Sequence, residues 1–103
     1  RILINLIRNA AQALGDKGKI EIVAATRGAQ LVLQVNDNGS GIPSHNLERV
    51  FEPLFTTKPQ GIGLGLAVSR QYANRNGGTL VVRNLDGAGA CFELTLPLAG
   101  HAP

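Results

Sequence analysis

The chain is short of the residues that mark several common functions. Its single cysteine, Cys91, excludes an internal disulfide and a paired-cysteine metal knuckle. The two histidines, His45 and His101, stand far apart and lack metal-ligand spacing. One tyrosine, three phenylalanines and no tryptophan leave little with which to stack on bases. Ten Lys and Arg against seven Asp and Glu give a net charge of +3, with the cations scattered rather than clustered. That balance argues against nucleic acid as a partner. No apolar run approaches the roughly 18 residues of a membrane helix, and no signal peptide is visible. The first residue is Arg1 rather than a methionine, so the expectation is of a piece excised from a longer protein.

What is present suits one globular domain with a modest core: 103 residues, 44% hydrophobic and 17% charged. Ile2, Leu3, Leu6, Ile7, Ala10, Ala13 and Leu14 recur at helical spacing, which predicts an amphipathic helix over residues 1–14 with Gly15 as its stop. Two strands are expected over 19–26 and 30–37, joined by a turn at 27–29. A short helix over 45–51 and a longer one over 63–76, ending at Gly77 and Gly78, follow. Residues 79–84 and 91–96 read as two more strands around the Gly-rich turn 86–89, and 98–103 as a frayed tail. Short turns make each strand pair antiparallel. The fold class expected is therefore α+β: a two-layer α/β sandwich whose mixed, mostly antiparallel sheet is covered on one face by helices.

Three stretches carry polar chemistry. On the first helix Asn5 and Asn9 are four apart and so are neighbours on one stripe with Arg1, Arg8 and Gln12. A solvated face accounts for them, and so does a hard cation or polar ligand, since asparagine is a poor helix former. At the end of the second strand, VNDNGSGIP puts Asp37 at a sheet edge, where burial needs a partner. Gly39 and Gly41 let backbone approach that partner, although an isolated Asp-Asn-Gly is more often only a turn. An EF-hand loop is excluded because Gly39 stands where a ligand is needed. Asn38–Gly39–Ser40 forms a glycosylation sequon, but nothing indicates secretion. In GIGLGL the glycines meet a helix start, yet the preceding TTKPQ is no strand, so a dinucleotide-binding Rossmann reading fails. A glycine-rich approach to a helix N-terminus still exposes N–H groups that attract phosphate, and Lys58 adds a mobile charge.

RILINLIRNAAQAL, DNGSGIP, FEPLFTTK and GIGLGL occur in this order, and together they resemble the ATP-binding catalytic domain of sensor histidine kinases. That domain belongs to the superfamily of gyrase, chaperone and mismatch-repair ATPases. The resemblance continues through GGTLVVRN and GAGACFELTLP and covers nearly the whole chain. It implies that Asn9 holds Mg²⁺ against the ATP phosphates. Asn5 takes the place of the water-activating glutamate of hydrolysing relatives, which fits a histidine nucleophile. The resemblance further implies that Asp37 accepts a hydrogen bond from the adenine amino group, with Gly39 and Gly41 letting the loop pass under the base and Ile42 packing near it. Phe51 and Phe55 anchor a lid, very short here as in the nitrogen-regulation type of kinase. Lys58 meets the phosphates, and Gly61, Gly63 and Gly65 with the N–H groups of Leu64 and Leu66 form their cradle.

Three departures qualify the likeness. Gln12 stands where many members carry a base, Ala90 replaces a threonine near the adenine, and the strand and helix that open the family domain are missing. The expectation is an ATP-binding catalytic domain over 1–97 with a tail over 98–103. It transfers the γ-phosphoryl of ATP, with Mg²⁺, to a histidine on a separate dimerisation domain, for a response regulator. The setting is cytoplasmic, in a homodimeric parent for which a membrane anchor stays open, with the fragment itself monomeric. Neither His45 nor His101 reads as the acceptor. The rivals are a serine-directed kinase of the anti-sigma type, which usually carries an acid at the position of Asn5, and a non-catalytic nucleotide-gated interaction module, disfavoured by the intact boxes.

Overall fold

The computed structural model describes residues 2–14, 18–52, 65–87 and 89–98. The first helix, α1, spans Ile2–Leu14, and its apolar stripe buries Leu6 and Ala10 completely. Thirteen residues are marginal for a helix in water, so this packing, more than propensity, holds it. Strands β1 (Ile20–Arg27) and β2 (Gln30–Asp37) form a hairpin in which Arg27 pairs with Gln30. Only Gly28 and Ala29 are left to turn the chain, with Gly28 at φ 59°. This places β1 one residue later than its sequence pattern suggests.

The segment 45–51 is not one helix. It forms two 3₁₀ turns, Ser44–Asn46 and Arg49–Phe51, neither with a side-chain N-cap. Each turn is held by its own inward residue, Asn46 and Phe51, rather than by a continuous apolar stripe. Helix α2 spans Gly65–Arg75, and its exit follows the sequence signal closely. Gly78 N–H bonds Ala73 C=O at 2.9 Å and Gly77 N–H bonds Asn74 C=O at 3.2 Å, with Gly77 at φ 78°. These are the paired bonds of a Schellman end, which satisfy carbonyls the last turn leaves open.

Strands β3 (Thr79–Asn84) and β4 (Ala90–Pro97) complete a four-stranded sheet of order β1-β2-β4-β3. Every pairing among the described strands is antiparallel. The connection from β2 to β3 carries both 3₁₀ turns and α2, which join α1, from ahead of the first hairpin, in one helical layer. The core sits where that layer meets the sheet: Leu6 and Ala10 of α1, Ala73 of α2, Phe51, and Val35, Leu80, Phe92 and Leu94 from the strands. Burying each large apolar side chain among these stabilises the fold by about 1.5–3 kcal/mol. On the opposite face, register partners Gln34 and Glu93 share a 2.9 Å hydrogen bond. Edge strand β1 is exposed from Glu21 onward, Ile22 and Val23 included. No helix among the described residues is long and apolar enough to cross a membrane.

Candidate functional site

Asp37 ends β2 and is 6% exposed. Its Oδ1 accepts the Gly39 N–H at 3.0 Å and the Ala90 N–H at 3.3 Å. The first bond is the local turn that an Asp-x-Gly sequence makes, and the second comes from the opening residue of β4. Both converge on one oxygen, which leaves Oδ2 as the acceptor for an incoming donor. The second bond requires β4 to press onto the end of β2. A Cβ on Gly89 would overlap the Asp37 carbonyl oxygen, and Gly89 sits at φ 98°. Glycine is thus the residue that lets Ala90 reach the carboxylate. The Ala90 side chain is itself buried, so this position contributes a backbone donor and no hydroxyl.

The loop after Asp37 is tied down at both ends. Asn38 Oδ1 accepts the Lys19 N–H at 2.8 Å, and Asn38 N–H donates to Lys19 C=O at 3.3 Å, fixing the loop to the start of β1. Further on, Ile42 is half-buried against the core and its backbone is bonded twice by the Asn84 side chain. Gly39 and Gly41, between these anchors, are half-buried.

Asn5 does more than face solvent. Its Nδ2 donates across to Ser69 Oγ on α2 at 3.2 Å, and Ser69 is fully buried. That bond joins α1 to α2 and leaves the Asn5 carbonyl oxygen for another partner. Asn9 is half-buried one turn later on the same face. Gly65 and Leu66 form the first turn of α2, where N–H groups have no intrahelical acceptor. Among the described residues, a Cβ on Gly65 would meet nothing within 4 Å. Phe51 packs edge-on to Phe92 of β4, with centroids 6.2 Å apart and planes at 79°. Over its ring lies the Arg70 guanidinium at 4.1 Å, which also pairs with Glu48 at 3.2 Å. Phe55, Lys58, Gly61, Gly63 and Leu64 lie outside the described residues.

The fold thus brings Asp37, Gly39, Gly41 and Ile42 together and joins Asn5 to the helix that Gly65 and Leu66 open. Residues 1–100 match the family described as Histidine kinase-, DNA gyrase B-, and HSP90-like ATPase. The chain belongs to this family. It is 46% identical over 98 residues to the sensor histidine kinase ZraS of Escherichia coli O157:H7, covering 95% of this chain and 21% of that protein. The catalytic domain of histidine kinase ThkA superposes with a TM-score of 0.85 at 37% identity, over 93% of this chain and 63% of that one. Full-length ShkA in complex with AMPPNP superposes at 0.85 with 31% identity, over 99% of this chain and 22% of that one. The chain therefore spans about a fifth of the length of the curated relatives it matches.

Membership in a histidine kinase-type ATPase family makes this an ATP-binding domain. No cluster of three or more His, Cys, Asp or Glu that could hold a metal exists among the described residues. The Asn5 and Asn9 amides nonetheless offer hard, neutral oxygens on one helix face, a donor type that suits Mg²⁺ alongside phosphate. Of the remaining titratable groups, Cys91 is buried in β4. Burial pushes its thiol up, the Arg83 guanidinium opposes this, and the Glu93 and Asp37 carboxylates add to it. A raised folded value favours the neutral thiol. Its stabilisation is whole below the ordinary thiol range and is lost as pH rises through the folded value. At pH 8 the native chain should react with iodoacetamide at least about tenfold more slowly than the guanidinium-unfolded chain. Equal rates would show that the thiol is accessible.

Three residues of this site escaped sequence reasoning. Ser69 and Arg70 read as ordinary helix residues, and Asn84 as the polar end of a strand. Their partners lie 64, 22 and 42 residues away, beyond any periodicity.

Proposed function

We propose that this chain is the ATP-binding catalytic domain of a two-component sensor histidine kinase, with the domain over 1–97 and a tail over 98–103. It donates the ATP γ-phosphoryl group to a histidine on a separate dimerisation domain of its parent, a homodimer, for onward transfer to a response regulator in the cytoplasm. The observation that carries the reading is the Asp37 carboxylate, buried at a strand end with Oδ1 taken by two backbone N–H groups and Oδ2 left over. An adenine amino group can donate to Oδ2, and a guanine carbonyl at the same position cannot.

Around it, Gly39, Gly41 and Ile42 lie beneath the base, and Gly61, Gly63, Leu64, Gly65 and Leu66 receive the phosphates at the N-terminus of α2. Lys58 adds positive charge there, and Phe55 with Phe51 anchors the lid. Asn9 holds Mg²⁺, with Asn5 beside it; the ion supplies neutralisation of the phosphate charge. Asn5 is an amide and cannot deprotonate water, so the domain orients ATP for a histidine rather than for hydrolysis. Transfer is in line, and the protein contributes positioning and electrostatics.

The acceptor is outside this chain's candidate site: His45 is exposed in the first 3₁₀ turn. The test is to supply ATP and Mg²⁺ to this chain alone and together with the parent's dimerisation domain. Acid-labile phosphate should appear only on the added domain. Stable phosphohistidine on this chain alone, or steady ATP hydrolysis lost in Asn5→Ala, would overturn the assignment.

A further inference from the structure

Asn84 closes β3, and its exposed side chain is committed to the backbone of one distant residue. Oδ1 accepts the Ile42 N–H at 2.8 Å, and Nδ2 donates to the Ile42 C=O at 2.7 Å. The carboxamide thereby acts as a peptide unit, making both bonds that a neighbouring strand residue would make. The fit extends one residue back. A Cβ on Gly41, at φ 82°, would stand 2.8 Å from Asn84 Oδ1. Asn84 also pairs in register with Ala90, whose N–H bonds Asp37 Oδ1. One rung of the sheet therefore sets the carboxylate through its β4 member and the loop through its β3 member.

We propose that Asn84 is a positioning residue for nucleotide binding: by clamping both backbone groups of Ile42 it holds loop 39–42 against Asp37 in the base-receiving arrangement. This rests on the ATP-binding reading above. The bonds are exposed to water, so their loss changes global stability little. Released, the loop samples other arrangements, and the apparent Kd rises by the reciprocal of the fraction that stays competent. That factor acts on the base site, so it is the same for ATP and ADP and independent of Mg²⁺. A fault confined to the phosphate site would separate the two nucleotides instead.

The test is calorimetric titration of ATP and ADP, with and without Mg²⁺, into the wild-type chain, Asn84→Ala, Asn84→Asp and Asn84→Gln, with melting temperatures alongside. Asn84→Ala should weaken both nucleotides by one common factor of about tenfold, with melting lowered by no more than about 5 °C. Asn84→Asp keeps the acceptor, loses the donor and sets a charge against the Ile42 carbonyl, so it should bind no better than Asn84→Ala. Asn84→Gln carries both groups on a longer stem and should recover most of the loss. Asn84→Ala binding both nucleotides within about twofold of wild type would overturn the inference alone. So would a loss that follows a large fall in melting temperature and that Asn84→Gln fails to restore. A wild-type chain that binds no ATP would overturn the ATP-binding reading and this inference with it.

Discussion

In Asp37→Asn, ATP affinity should fall by about a hundredfold while affinity for GTP holds or rises. The structure dictates which way the new amide must point. Gly39 and Ala90 N–H groups converge on Oδ1, so the amide oxygen has to stay on their side. Its NH₂ group then takes the place of Oδ2, facing the base. Against an adenine amino group this sets donor to donor in a site where Asp37 is only 6% exposed. An unpaired buried polar group costs about 1–3 kcal/mol, more where a charge is lost, which is one to two orders of magnitude in Kd. Against guanine the same NH₂ group meets the C6 carbonyl and forms a bond. The measurement is calorimetry with ATP and GTP on both proteins. Unchanged ATP affinity and selectivity in the variant would show that Asp37 does not contact the base.

Gly89→Ala should be the most destabilising alanine substitution among the described glycines of positive φ. Two costs coincide at this position. The backbone lies at φ 98°, where an L side chain is strained by about 1–3 kcal/mol. The added Cβ would also collide with the Asp37 carbonyl, forcing β4 away from the end of β2. Overpacking of that kind costs about 1–3 kcal/mol more. Together, about 2–6 kcal/mol is a large share of the 5–15 kcal/mol typical of a domain. Melting should drop by at least about 8 °C.

Gly87→Ala separates the two costs. Gly87 has a similar φ of 92°, but a Cβ there meets nothing within 4 Å. It should carry only the strain. If both variants melt alike, the collision with Asp37 is relieved cheaply and the proposed coupling of β4 to the carboxylate is wrong. Any Gly89→Ala protein that stays folded should also lose adenine selectivity, because Ala90 N–H can no longer reach Asp37.

The sequence by itself determined most of the local elements, though not the two 3₁₀ turns within 44–51, and the kind of domain. Helical spacing in residues 2–14, the Gly28 turn and the Gly77–Gly78 helix exit each depend on neighbours within a few residues, and these are physical preferences a linear pattern records. The order of the asparagine and glycine stretches likewise pointed to the ATPase family that residues 1–100 match. Burial was less legible. β1 carries Ile20, Ile22 and Val23, yet only Ile20 is withdrawn from solvent, because its place at the sheet edge and the reach of α1 are not local properties.

Tertiary structure decided what holds the site. Whether Asn5 and Asn9 line a solvated face or a binding face was open from spacing alone. The Ser69 bond gives Asn5 an inward partner on a helix 64 residues on. Asp37 stands out in the sequence as a carboxylate that needs a partner, but that Ala90, 53 residues later, holds its Oδ1 is decided only by packing. Arg70 over Phe51 and Asn84 on Ile42 are of the same kind. Each depends on how hairpins and helices pack against one another, and packing joins residues whose separation along the chain carries no signal of their meeting.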